Sequence, residues 1–191
     1  MIKLFLSAST ILLGLFLPSI AAAQNPASAQ QTPSAVFQVV VNGKPMQFNQ
    51  GKILAIIIKE DGSVSISAQT TSDILNTNIL VLNITPADTS KRITRGEYKI
   101  LPDDGVSGYM VRAEYSANEN GNSSYWWSDA SQVKGGSIFI DEITESSIKG
   151  RFSFTGVLEK EDGSMDSKNL VKITKGIFDL PLEIKSRIDP R

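Results

Sequence analysis

The chain has 191 residues, with 19 Lys and Arg against 20 Asp and Glu, a formal net charge of −1, and neither histidine nor cysteine. Lack of imidazole and thiol excludes triads built on a histidine base, thiol chemistry, disulfides, and the common zinc, copper and haem sites. A charge balance this even supplies no field to attract nucleic acid or an anionic membrane, so no nucleic-acid partner is expected.

Residues 1–23 read as a signal peptide: Lys3, an apolar stretch over 4–17, the helix breaker Pro18, then Ala21-Ala22-Ala23, with cleavage expected after Ala23. The stretch falls short of the roughly 20 apolar residues that a spanning helix needs, and no later segment exceeds it. No transmembrane segment is expected after processing. Lipid anchoring is excluded because there is no cysteine to acylate. The expected location is therefore periplasmic or secreted. Residues 24–34 are polar, small and proline-containing, the composition of a flexible lead-in. Residues 35–191 are expected to form a single β domain.

Within that domain, β-branched and aromatic residues alternate with polar ones in short runs broken by Gly, Asn and Asp, the period-two signature of half-buried strands. Asn42-Gly43 predicts a hairpin joining 37–41 to 46–48, and Asp61-Gly62 another joining 53–58 to 64–68. A helical turn is expected over 72–75, and further strands at 78–84 and 97–100. In 109–115, Tyr109, Val111, Ala113 and Tyr115 share the inner face, while Met110, Arg112 and Glu114 face out. Strands follow at 124–127 and 137–143. Over 148–158, Ile148, Gly150, Phe152, Phe154, Gly156 and Leu158 face inward. A last strand spans 170–184. About ten strands on short turns predict an all-β fold, an antiparallel meander forming a β-sandwich or a closed β-barrel, of which a lipocalin-like barrel is one form. No connection is both long and helical enough for a βαβ crossover.

Two local patterns recur. Thr94-Arg95-Gly96-Glu97-Tyr98 and Thr174-Lys175-Gly176-Ile177-Phe178 share Thr, basic, Gly, any, aromatic, read as a strand that bends at glycine beside an aromatic. Lys59-Glu60-Asp61-Gly62-Ser63 returns as Lys160-Glu161-Asp162-Gly163-Ser164, read as turn chemistry used twice. The opening Val39-Val40-Val41-Asn42-Gly43-Lys44, with Gly136-Ser137-Ile138-Phe139-Ile140, Lys149-Gly150-Arg151-Phe152-Ser153-Phe154 and Ile173-Thr174-Lys175-Gly176-Ile177-Phe178, resembles small uncharacterised all-β envelope proteins of Gram-negative bacteria, often of lipoprotein type. The resemblance covers residues 36–181 and implies an extracytoplasmic β domain. It supplies no catalytic residue, and the absent cysteine departs from the lipoprotein pattern.

No catalytic motif emerges, and no catalytic residue, metal ligand or cofactor is assigned. Asp103-Asp104-Gly105 and Asp61-Gly62 lack the ligand spacing of a calcium loop and read as solvated turn acids. Asp141, Glu142, Glu145 and Glu114 offer carboxylates, but their spacing selects no pair of the kind a glycosidase uses. The segment richest in chemistry is Tyr125-Trp126-Trp127, after the polar run 118–124. On a strand Trp126 points opposite to Tyr125 and Trp127, so one face must present a large ring to solvent or to a cavity. Such rings beside hydrogen-bonding groups suit ligand recognition, with Tyr109 and Tyr115 as candidate walls. The sequence therefore points to an exported, non-enzymatic β-domain protein binding a small molecule, glycan or protein partner in the cell envelope. The alternatives are a structural or assembly component acting through strand edges, and a carboxylate-dependent hydrolase.

Overall fold

The computed structural model describes residues 35–101, 108–128, 131 and 133–187. The expected signal peptide (1–23), the lead-in (24–34) and Asp103-Asp104-Gly105 lie outside the described residues.

Eleven strands form one sheet: β1 (Val36–Val41), β2 (Lys44–Met46), β3 (Ile53–Ile58), β4 (Val64–Gln69), β5 (Asn78–Pro86), β6 (Gly96–Ile100), β7 (Tyr109–Glu119), β8 (Asn122–Trp127), β9 (Gly136–Ile143), β10 (Ser147–Glu159) and β11 (Met165–Lys185). Alternation makes them strands: in β5 Leu80, Leu82 and Ile84 are buried, and the residues between them are half-buried on the other face. Asn42 and Gly43, both at positive φ, turn the first hairpin as the Asn-Gly pair predicts.

The β10–β11 hairpin organises the rest. Its ladder runs from Ser147 opposite Pro181 to Glu159 opposite Met165. At one end Leu182 to Lys185 continue into a parallel pairing with Ala55 to Ile58 of β3, and at the other Val157 to Glu159 pair with Tyr125 to Trp127 of β8. Because β3, β4, β5, β7 and β8 pair in succession, hydrogen bonding closes a ring of seven strands, β11-β3-β4-β5-β7-β8-β10. β1 and β2 extend from the β11 side of the ring, and β9 and β6 from the β10 side.

The all-β expectation holds, with three corrections. The β3–β11 pair is parallel rather than part of a meander: the last strand returns to the first long one to close the ring, a crossover made by intervening antiparallel strands instead of a helix. The strand expected over 46–48 is Lys44–Met46, while Phe48 lies beyond it with its ring edge-on to Phe37 at 5.1 Å. Residues 72–75 form a turn rather than a helical one. The Asn76 N–H reaches the Asp73 carbonyl, and the Asp73 carboxylate accepts from the Leu75 amide and the Asn76 side chain, the local bonding that draws Asp out of helices.

Both recurring patterns have a structural basis. The Tyr98 hydroxyl accepts from the Thr94 N–H at 2.9 Å and donates to the Thr94 carbonyl at 2.8 Å, tying the chain entering β6 to its own aromatic. In the copied turns, Asp61 and Asp162 each accept from the amide two residues on, at 2.9 Å. Close-packed apolar side chains fill the interior, chiefly Ile66, Leu80, Leu82, Ile138, Ile140, Ile173 and the Phe152 and Phe178 rings.

Candidate functional site

β8 is positioned by a tight hairpin with β7, in which Glu119 pairs with Asn122 across Asn120-Gly121, both at positive φ. Most of the expected polar loop 118–124 is therefore strand. The alternation in Tyr125-Trp126-Trp127 is as read from the sequence, and it sends the rings to different environments. Trp126 turns inward beside Tyr115, ring centroids 5.6 Å apart, with Gly156 beneath it. Its indole nitrogen is buried without a hydrogen-bond partner among the described residues. Tyr115 is buried, and burial, followed by the charge of Glu119, pushes its hydroxyl pKa up.

Tyr109 stands at the opposite end of β7, edge-on to Tyr98 at 5.1 Å. With Glu97, Lys99, Leu101 and Val111 these two rings line a concavity of 210 Å³ between β6 and β7. The five aromatics singled out from the sequence thus occupy three places. Tyr109 and Tyr115 do not wall the surface carrying Tyr125 and Trp127, because Tyr109 and Tyr115 face the interior and the other two face out.

Two adjacent rows cross the outer face of the ring. Register aligns Ile79, Ser116, Tyr125, Glu159 and Met165 in one, and Val81, Glu114, Trp127, Val157 and Leu170 in the next. Tyr125 is 41% exposed and Leu170 37%, yet Val157 beside Trp127 is 0% exposed although it lies outside the main core cluster. A small second apolar cluster thus forms on the outside of the sheet, where an antiparallel strand ordinarily turns polar residues to water.

Two carboxylates sit inside this cluster. The Trp127 indole N–H donates to Glu159 Oε2 at 2.6 Å, fixing the ring on the surface. Glu114 is the direct cross-strand partner of Trp127 on the other side. Among the described residues neither oxygen of Glu114 accepts a hydrogen bond, and burial, followed by repulsion from Glu159, holds its pKa above the ordinary glutamate value. The outward direction of Glu114 was legible from alternation. The approach of Glu159 was not, since it depends on the β8–β10 register, which joins strands distant in sequence.

Of the other acidic candidates, Asp141 is held in an ion pair, while Glu142 and the exposed Glu145 come near no second carboxylate that would make a catalytic pair with them among the contacts described. Asp141 pairs with Arg151, whose guanidinium lies over the Phe139 ring at 3.9 Å, and Glu142 is the register partner of Lys149, which itself bonds Asp179 at 3.0 Å. Among the described residues no three or more metal-ligating side chains gather, and no helix is long and apolar enough to cross a membrane.

The fold defines an all-β domain closed by a ring of seven strands, with an aromatic and carboxylate surface on its outside. Over residues 33–180 the chain matches the model of a family described as a domain of unknown function, DUF6252, and it belongs to that family. No curated protein and no solved structure matches the chain.

Proposed function

We propose that the protein is an exported, non-enzymatic binding domain of the bacterial cell envelope, and that it docks a partner protein on the outer-face rows around Tyr125 and Trp127. The observation carrying this reading is the apolar cluster outside the core, in which Val157 is fully covered while Tyr125 beside it remains 41% exposed. A small ligand is ordinarily enclosed on most sides, whereas an open sheet face is covered best by another macromolecular surface. Tyr and Trp are the side chains that anchor such contacts. Export is supported by the sequence pattern of residues 1–23 and by the resemblance to envelope β proteins.

The test is a photo-crosslinking amino acid placed at Tyr125 in cells making the protein, with one placed at Lys172 on β11 as the control. A discrete adduct at Tyr125, absent at Lys172 and lost in Trp127→Ala, is expected from the envelope fraction; equal labelling at both positions, or none, overturns the docking reading. Recovery of a chain beginning at Gln24 checks export independently.

A second reading, assembly through a strand edge, is favoured by β6, the last strand in the sheet order, which hydrogen-bonds β9 alone among the described strands. β2, at the other end of the order, is short and carries Pro45, a residue that blunts pairing. Concentration-dependent oligomers abolished by Lys99→Pro would support that role.

A further inference from the structure

We infer that the surface around Trp127 is a subsite for an arginine side chain of the partner, which lays its guanidinium on the indole and hydrogen-bonds the Glu114 and Glu159 carboxylates on either side of it. This rests on the docking reading above and gives its occupant a chemistry.

The geometry supplies three of the things a guanidinium seeks. The first is a flat aromatic face: Trp127 is half-buried on the outer face, and its edge is fixed by the 2.6 Å bond to Glu159, so its orientation is set before any ligand arrives. The second is acceptor capacity. Glu159 uses Oε2 on the indole, and among the described residues its Oε1 accepts nothing. Among the same residues Glu114 accepts nothing at either oxygen. A planar fork of N–H donors matches such carboxylates better than the compact ammonium of lysine does. The third is a low-dielectric setting: Val157, the cross-strand neighbour of Trp127, is fully buried, and Leu170, next along the row, is exposed and offers apolar area on which the aliphatic stem of arginine can lie.

The electrostatics point the same way. Two carboxylates of like charge flank one ring from the neighbouring strands, and Glu114 is half-buried with no donor among the described residues, an arrangement that is unfavourable in the free protein. A cation entering between them removes the repulsion and supplies the missing donors. A neutral ligand of equal shape does only part of this, and an anionic one makes it worse. A sugar, which would use ring stacking and hydroxyl donors, leaves the charge uncompensated.

The experiment uses the purified protein as Trp126→Phe, so that Trp127 alone reports. Its fluorescence is titrated with N-acetyl-arginine amide and, in parallel, with N-acetyl-citrulline amide, the neutral isostere, at constant ionic strength. A saturable change with the arginine compound is expected, with the citrulline compound at least roughly tenfold weaker, the loss expected when a charged hydrogen-bond partner is replaced by a neutral one. Glu114→Gln and Glu159→Gln, each checked for an unchanged circular dichroism spectrum, should each weaken the arginine response. Equal responses to the two compounds, no response to arginine, or indifference to both substitutions overturns the inference. If it fails while crosslinking at Tyr125 persists in Glu114→Gln and Glu159→Gln, docking stands and the arginine subsite falls; if the otherwise unchanged protein also gives no adduct at Tyr125, the docking reading falls with it.

Discussion

The Phe152 ring lies directly on the backbone of Gly176, its cross-strand partner: a Cβ built on that glycine would stand 2.6 Å from three atoms of the ring. The relation is reciprocal two pairs along, where Gly150 faces Phe178 and a Cβ on Gly150 would meet that ring at 2.6 Å. Two glycines therefore let two phenylalanines stack across the β10–β11 ladder, with ring centroids 6.3 Å apart. Gly176→Ala should lower stability by about 1–3 kcal/mol through overpacking. Urea unfolding checks this against Gly51→Ala, where the added methyl meets only the Asn49 side chain at 3.5 Å and should cost far less.

That relationship also shows what the sequence could and could not convey. The shared form Thr, basic, Gly, any, aromatic marked Gly176 and Phe178, and alternation put Gly150 and Phe152 on one face. Both were local facts. Which aromatic covers which glycine is a matter of register, and that register is shifted by a bulge between Phe152 and Phe154, with Lys175 at positive φ opposite. The same limit applies to the candidate site. Period two alone put Tyr125 and Trp127 on one face of the strand and Trp126 on the other, but which face turns inward depends on what β8 packs against, and only the structure places Trp126 beside Tyr115. Glu159 became part of the site only through the β8–β10 pairing, and Tyr109 dropped out because β7 is long enough to carry Tyr109 and Tyr115 to different neighbours. Ring closure by a parallel β3–β11 pair was likewise illegible, since it joins the two ends of the domain.

Asp61 should make part of the stability pH-dependent. Burial raises its pKa, but the Ser63 amide and the Arg187 guanidinium outweigh burial, so the folded carboxyl lies below the ordinary 3.8. A depressed carboxyl stabilises the fold fully above its unfolded pKa and ceases to do so as pH falls through the folded value. Asp61→Asn should therefore lower the urea midpoint at neutral pH, with the difference from the parent shrinking as pH drops below 3.8. A difference that stays constant across that range would show that Arg187 contributes nothing through charge.

The two tryptophans should report different surroundings. Trp126 has its nitrogen buried and its ring against Tyr115, whereas Trp127 lies on the outer face. Trp127→Phe, which leaves Trp126, should emit at shorter wavelength and resist acrylamide quenching; Trp126→Phe should emit further to the red and be quenched more readily. The reverse order would mean that β8 is turned over. Trp127→Phe also frees Glu159 from its indole donor, so this variant should lose the surface geometry without losing the fold.

Glu114 should behave in the opposite sense to Asp61. Burial first, and repulsion from Glu159 second, raise its pKa above 4.5 in the folded protein. Between the unfolded and folded values the native state holds a proton that the unfolded chain has released, so stability falls as pH rises through this window and stays lower above it. Glu114→Gln removes the charge, and it should raise the thermal midpoint at neutral pH. The advantage should diminish as pH falls through the folded pKa and vanish below 4.5, where both chains are uncharged at this position. Arg112 lies two residues away on the same face, so the scan is repeated in 0.5 M salt, roughly a Debye length of 4 Å, to separate long-range charge from burial. Persistence of the effect in salt assigns it to burial. A carboxylate whose removal stabilises the free protein is one retained for something other than folding, and a bound cation would invert the sign: with saturating arginine amide, the parent should become the more stable of the two.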